Sequence, residues 1–366
     1  MSQPLRGYLE NQADRVESVL FAHRAPGRVT GGTVGPRLIK FFLSPAPHIR
    51  YAAIRRLADD MALSLKVTTL RVKRGKEGVI LAFDNPKPQP VTLSNLLPPI
   101  LRAADGSPDP VPLSTALLGL TDEGLPLLAR LSSPEVAHIL IAGTTGSGKS
   151  VLLRTIALSL LLTHRPEQLR LLALDPKGRA FQGLTGAPHL LRPPVTELAE
   201  ILEALRSLVR AMEMRDRQRE DSPCIVLLID ELADLIFQGG DEITKLLTRL
   251  VQRGREAGIH IVAATQRPSS AIMSGLMRAN FPLRLVGKVV SASDARVATG
   301  RGGTDAHLLS GRGDFLAVGG GGEPIRFQVA FVSEAELRTK AGNFRLDSSM
   351  GVPNLERKGL LYAEAS

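Results

Sequence analysis

Residues 143–150 read Gly-Thr-Thr-Gly-Ser-Gly-Lys-Ser. A glycine, four residues and then Gly-Lys-Ser is the spacing of a loop that wraps the phosphates of a nucleoside triphosphate. Gly143, Gly146 and Gly148 permit left-handed turns and a close backbone approach. Backbone N–H groups along Thr144, Thr145, Ser147 and Val151 can then cradle the anion. Lys149 supplies a point charge for the β- and γ-phosphates, and the Ser150 hydroxyl suits Mg2+. The expected cofactors are therefore ATP and Mg2+. A second acidic site lies at 224–231, Cys-Ile-Val-Leu-Leu-Ile-Asp-Glu. It reads as a buried strand ending in two carboxylates. Asp230 suits the metal, and Glu231 is the candidate general base that polarises the attacking water. Gln266 comes after another apolar run, 260–265. It could sense the γ-phosphate or be a plain polar strand end.

These groups need elements that bring them together. The run 137–142 (Ala-His-Ile-Leu-Ile-Ala) is short and apolar, as a strand before the loop should be, and 151–162 is apolar with one arginine, long enough for a helix. Further strand candidates are 169–174, 224–229, 259–264, 283–289, 314–318 and 325–332. Helices are expected at 195–220 and 241–257. Alternating strands and helices from about residue 113 predict an α/β fold, a parallel sheet wrapped by helices. Before it, 1–20 reads as an amphipathic helix, and 34–43 as a strand after the turn signals Gly31-Gly32 and Gly35-Pro36. A helix over 51–65 and a hairpin of 68–72 and 79–83 around Lys73-Arg74-Gly75-Lys76 complete a small α+β domain. Five prolines between 86 and 99, then 105–112, mark a boundary. The expected division is an accessory domain over 1–104, a motor domain over 105–344 and an irregular tail over 345–366.

The chain has 366 residues and a formal net charge of +10. Such a balance favours a polyanionic partner, nucleic acid or an acidic membrane surface, although basic charge can also serve solubility alone. The single Cys224 excludes an intrachain disulfide and a multi-cysteine zinc site, and it fits a reducing, cytoplasmic compartment. No apolar run is long enough to span a bilayer, and the N-terminus carries no signal pattern. With no Trp, 11 Phe and 3 Tyr, the chain has few rings for stacking on single-stranded bases.

Taken together, 138–150, Asp175-Pro176-Lys177, 229–235 (Ile-Asp-Glu-Leu-Ala-Asp-Leu), Ala257-Gly258-Ile259-His260 and Ala264-Thr265-Gln266-Arg267-Pro268 resemble the motor of the FtsK/SpoIIIE DNA translocases. Ser293-Asp294-Ala295-Arg296 and Gly313-Asp314-Phe315 resemble later motor segments, and Gly35-Pro36-Arg37 with 57–63 is similar to the family's small accessory domain. The resemblance implies a RecA-like P-loop NTPase motor with a smaller N-terminal α+β domain. It further implies a homo-hexamer around double-stranded DNA, with ATP between subunits and an arginine finger reaching the γ-phosphate from the neighbour. Arg296 lies in the segment that carries this residue in the family; Arg255 is the second candidate, and either could be a surface salt-bridge residue. Pore-facing DNA contacts are expected after this segment, where Arg301, Arg312 and Arg326 lie among glycines; each could equally belong to an ordinary hairpin turn. Division members of the family carry an N-terminal membrane domain and a C-terminal winged-helix module, and neither is expected here. That favours a motor for plasmid, phage or conjugative DNA, or one directed by a membrane or DNA-processing partner protein. The rival readings are a protein-secretion ATPase and a non-hydrolysing DNA clamp.

Overall fold

The computed structural model describes residues 3–68, 70–75, 78–88, 90–102, 109, 111–266, 275, 279–319, 321–342 and 361–362. Lys76 of the hairpin turn, most of the expected 105–112 linker, Arg267-Pro268, Gly320 and nearly all of the expected tail lie outside them. The chain forms two compact units, Met1–Pro90 with Asp122–Gly124, and Val91–Thr121 with Leu125–Ser366.

The smaller unit comprises α1 (Gln3–Ala22), β1 (Gly27–Val34), β2 (Leu38–Pro45), α2 (Tyr51–Arg56), α3 (Ala58–Leu65), β3 (Leu70–Gly75) and β4 (Gly78–Asp84). Its antiparallel sheet has the order β1-β2-β4-β3. Strict alternation in β2 and β4 sends Ile39, Phe41, Leu43, Val79, Leu81 and Phe83 to one face, where they meet the buried faces of the three helices. Phe41 and Phe83 meet edge to face at 5.2 Å. Gly31 and Gly32, expected as a turn, lie inside β1, beside a bulge between Val29 and Gly31. A Cβ at Gly32 would stand 2.5 Å from the Lys40 carbonyl, so the glycine marks a close backbone approach. The expected 51–65 helix breaks at Leu57 into α2 and α3.

The larger unit holds α4 (Leu93–Ile100), β5 (Thr115–Thr121), β6 (Pro126–Arg130), β7 (Ile139–Ala142), α5 (Lys149–Thr163), β8 (Leu169–Leu174), α6 (Leu198–Gln218), β9 (Cys224–Ile229), α7 (Leu232–Arg253) and β10 (Ile259–Thr265). Then come β11 (Leu283–Val286), α8 (Ala292–Thr299), β12 (Asp314–Val318), β13 (Ile325–Val329), α9 (Glu334–Gly342) and β14 (Leu361–Tyr362). The ten strands run in the order β14-β6-β5-β13-β12-β11-β7-β10-β9-β8. From β11 to β8 every neighbour is parallel; from β11 through β12, β13, β5 and β6 the pairing is antiparallel. The parallel strands are apolar on both faces because helices cover both. Ile139, Ile141, Val226, Leu228, Val262 and Ala264 face α5, while Leu140, Leu227, Ile229, Ile261 and Ala263 face α6 and α7. Helix α5 is buried almost all round, so no amphipathic stripe marks it in the sequence.

Leu93, Leu97 and Ile100 of α4 lie in this larger core, so the compact units divide at Pro90 rather than at 104. Helix α7 begins at Leu232, nine residues before its expected start. The glycine pair at 239–240 reads as a break, and Gly240 does leave helical geometry (φ 57°, ψ −142°). The apolar stripe of Leu232, Leu235, Ile236, Ile243, Leu247 and Leu250 nonetheless crosses the kink. On their outer faces α6 and α7 exchange ion pairs, Arg206–Glu242 at 2.5 Å, Arg253–Asp216 at 2.6 Å and Arg249–Glu213. Exposed pairs of this kind contribute little stability.

Gly119 in β5 lies so close to β13 that a Cβ would sit 2.0 Å from the Gln328 carbonyl. Neither strand can yield without disturbing the ladder. Gly119→Ala is expected to destabilise the larger unit by roughly 1–3 kcal/mol. Thermal denaturation by circular dichroism checks this; an unchanged Tm would refute the close approach.

Candidate functional site

The registers of the sheet assemble the site. Thr265 and Val286 both pair with Ala142, and Ala263 pairs with Ile229. Strands β7, β9, β10 and β11 therefore end at nearly one level, and the loops leaving them converge. That is the carboxyl edge where open α/β sheets take ligands.

The loop after β7 uses Gly143 (φ 153°), Gly146 (φ 78°) and Gly148 (φ 109°) in conformations unfavourable to other residues. It has no ladder of its own, and its neighbours hold it. Arg312 N–H donates to Gly146 O at 3.1 Å, and Gly313 N–H to Ser147 O at 2.7 Å. Thr144 donates its N–H (2.8 Å) and its hydroxyl (3.0 Å) to Lys288 O. Lys149 Nζ donates to Gly143 O at 2.9 Å and Thr144 O at 3.0 Å. Burial holds the Lys149 ammonium below its usual pKa, against the opposing pull of Glu231 and Asp230. Ser147 Oγ is buried and has no partner among the described residues.

The two carboxylates diverge. Glu231 adopts a left-handed backbone (φ 68°), a strained conformation for a non-glycine residue. Asp230 Oδ1 lies 3.5 Å from Ser150 Oγ. Glu231 Oε1 accepts from Gln266 N–H at 3.0 Å and Thr265 Oγ1 at 3.2 Å. The Gln266 side chain crosses to the loop, accepting from Thr145 Oγ1 at 2.8 Å. Lys149, Ser150, Asp230, Glu231 and Gln266 thus form one constellation.

Other expected residues lie elsewhere. Arg296 is exposed on α8; Arg255 is exposed and 3.8 Å from Glu256. Arg326 lies within β13, not in a free loop. Its Nε and Nη2 grip Asp314 at 2.8 and 2.7 Å, with the two side chains 14% and 5% exposed. Its charge and two of its five N–H donors are thereby committed to Asp314. Arg301 donates to Gly322 O at 2.6 Å. The backbone of Arg312 clamps the phosphate loop. Cys224 is no nucleophile, since burial pushes its thiol up to about 11.

Several contributors stand in the quoted motifs without an assigned role, or, like Lys288, outside them. Asp175 is buried, accepting from Ala180 N–H at 2.7 Å, with Oδ1 unpartnered among the described residues. Lys177 pairs with Asp234 at 2.6 Å across the mouth of the site. Thr265, Lys288 and Gly313 act through hydrogen bonds that only the folded sheet creates. Asp175 and Lys177 come just after the end of β8, in the Asp175-Pro176-Lys177 segment that resembles the family motor, where the resemblance assigned them no role.

A glycine loop between a central parallel strand and a buried helix, facing two acids at the end of another strand, defines the P-loop NTPase fold. The comparisons agree. The chain belongs to the FtsK/SpoIIIE family, whose model matches residues 109–222 and 215–270, and the FtsK alpha domain matches 2–85. The DNA translocase FtsK of Brucella suis biovar 1 (strain 1330) is 33% identical over 396 residues, covering 94% of this chain and 45% of that protein. Its counterpart from Caulobacter vibrioides (strain ATCC 19089 / CIP 103742 / CB 15) is 34% identical over 395 residues, covering 94% and 47%. The chain spans about half the length of the curated relatives it matches. Among solved structures, the pCW3 conjugation coupling protein TcpA, a monomer form with ATPγS, superposes with a TM-score of 0.61 at 18% identity, covering 89% of this chain and 96% of that one. The cytoplasmic domain of the Thermomonospora curvata Type VII secretion ATPase EccC gives 0.58 at 26% identity, covering 73% and 36%. No described helix is long and apolar enough to cross a membrane.

Burial, and then the charges of Asp175 and Glu231, push the Asp230 carboxyl up to about 6, with Lys149 and Lys177 opposing. A carboxyl with a higher pKa folded than unfolded binds its proton more tightly in the folded chain. Stability therefore falls as pH rises from about 4 to about 6 and stays reduced above, by on the order of 2–3 kcal/mol. Asp230→Asn is expected to raise the Tm of the nucleotide-free protein, and more at about pH 7.5 than at about pH 5. A gain independent of pH would overturn this assignment.

Arg326→Ala leaves Asp314 buried without its cation and is expected to cost about 3–5 kcal/mol. Adding Asp314→Asn should recover part of that loss in thermal melts. The salt dependence of DNA binding should stay unchanged, because this guanidinium is already engaged; a shallower dependence would restore Arg326 as a DNA contact.

Proposed function

We propose that this chain is an ATP-driven motor that moves double-stranded DNA, working as a homo-hexameric ring with ATP between neighbouring subunits. The observation that carries the reading is the constellation of Lys149, Ser150, Asp230, Glu231 and Gln266 in a chain whose family relatives are DNA translocases.

Lys149 exchanges its two loop carbonyls for the β- and γ-phosphates, and the backbone N–H groups of Thr145, Gly146 and residues 148–151 enclose the rest. Ser150 and Asp230 are hard oxygen donors on facing elements and fit Mg2+. When bound, that ion neutralises charge on the β- and γ-phosphates. Glu231 takes the proton of the attacking water. Its free oxygen is available for this because Thr265 and Gln266 fix the other. Gln266 bridges Glu231 to Thr145, so its amide reports the state of the phosphate site to the base. Arg296, exposed on α8, is the residue we assign as the finger supplied to the neighbouring subunit, where it meets charge that develops in the transition state. The proposed substrate places the motor in the cytoplasm. The likeness to EccC over 73% of the chain favours protein secretion as a second reading.

Duplex DNA separates the two. We expect ATPase activity stimulated by duplexes of unrelated sequence and rising with their length. Lys149→Ala and Arg296→Ala should each lose that turnover, and mixing the two proteins should restore part of it, since mixed rings regain some intact interfaces. Activity indifferent to DNA would reject the translocase. Full turnover by Arg296→Ala alone would pass the finger to Arg255.

A further inference from the structure

We propose that the smaller unit carries its own phosphate-binding surface for duplex DNA, formed by Arg50, Arg55 and Arg74 around the ring of Tyr51. The choice of DNA as partner rests on the translocase reading above.

The charge of the chain is unevenly placed. The smaller unit holds fifteen Lys and Arg against nine Asp and Glu, Asp122 and Glu123 included, so +6 of the net +10 lies in a quarter of the chain. Within the unit, three exposed arginines lie beside Tyr51 in sequence or in space. Tyr51 opens α2 and is pinned by its hydroxyl, which donates to Val72 O at 2.9 Å. The Arg74 guanidinium stacks 4.8 Å from the ring centroid. Arg55 stands one helical turn beyond Tyr51, on the same side of α2, and Arg50 directly precedes the ring. All three arginines are exposed, and among the described residues none has an ion pair. Asp59 and Asp60, the acids nearest Arg55 in sequence, make none with them; Asp60 instead lies 3.9 Å from His23, and Glu77, three residues after Arg74, lies outside the described residues.

Folding does not explain this grouping. The helix dipole favours Arg55 at the end of α2 but not Arg50 before its start. Like charges gathered on one surface repel, and among the described residues no acid pairs with them. A polyanion would. Guanidinium forks match phosphate oxygens in pairs, and arginine keeps its charge at any working pH. Duplex DNA is favoured over a lipid surface because no large apolar side chain is exposed in 50–56 or 70–75 to enter a bilayer. With no base-reading amide in the cluster, the contact should be independent of sequence.

The test uses the full chain. Binding of fluorescent duplexes of two unrelated sequences is titrated between about 50 and 200 mM salt for the wild type, for Arg50→Gln/Arg55→Gln/Arg74→Gln and for the same three changed to Lys. Each lost phosphate contact should flatten the log–log salt slope by about 0.9, so the Gln variant should lose up to ~2.7 of slope. Its affinity should then fall about forty-fold less than that of the wild type across this range. The Lys variant should keep the slope, which a packing role would not predict, and DNA-free ATPase should stay normal in both. A wild-type slope in the Gln variant, with normal duplex binding, overturns this inference alone. So does loss of binding to phosphatidylserine vesicles with the DNA slope unchanged, which would assign the cluster to a membrane. A wild type that binds no duplex overturns the translocase reading, and this one with it.

Discussion

A phosphate-binding loop must keep its N–H groups unspent on its own backbone, yet stay rigid without a ladder. Here one bond is internal, Ser147 N–H to Thr144 O at 3.2 Å, and the other supports are external. The outward carbonyls of Gly146 and Ser147 are taken by the turn of Arg312 and Gly313, and Thr144 is tied to Lys288. Those partners stand where they do because β7 is flanked by β11, and β11 by β12. Gly311, Arg312 and Gly313 all have positive φ, and the arginine tolerates it because the turn is fixed at both ends. On one side are the loop carbonyls. On the other, Asp314 accepts from Ser310 N–H at 2.7 Å and is clamped by Arg326. The buried ion pair is thus a support of the nucleotide loop, two bonds removed from it.

The acidic half of the site shows the opposite balance. Asp230 is held near other acids in a poorly solvated place, and Glu231 in a strained backbone. Neither arrangement favours the empty fold. Both make sense if the cost is recovered when cations and a polyanion arrive together, since each then removes the other's desolvation penalty. The Lys149 ammonium, held down by the same burial, gives the matching observation from the basic side. The site is a pre-organised electrostatic cavity whose groups conflict until it is filled.

Much of this is legible in the sequence because the informative patterns are local. The phosphate loop, the acid pair after an apolar run and the strands over 169–174, 224–229 and 314–318 all appear at or near their expected positions. The features that escape depend on distance along the chain. Arg326 reads as a basic residue after a glycine run; only the antiparallel register of β12 and β13 brings it to Asp314. Thr265 becomes a partner of Glu231 only once β10 lies beside β9. The hairpin of β5 and β6 leaves no pattern because its residues are buried on both faces and show no alternation. Gly31-Gly32 misleads for a related reason. Glycine signals either a turn or a close approach of another backbone, and the sequence does not say which.

Charge distribution links the two units to one requirement. The larger unit has most of the ionisable residues but only +4 of the net charge against +6 in the much smaller unit, and several of its cations are paired within it. Arg206, Arg249 and Arg253 pair across α6 and α7, Arg326 is buried on Asp314, and Lys177 sits on Asp234. A machine that must move along a polyanion gains nothing from a uniformly basic body, since each added phosphate contact must be broken at every step. The smaller unit thus carries more positive charge for its size, while Lys149 and Lys177 in the larger one answer to the nucleotide site.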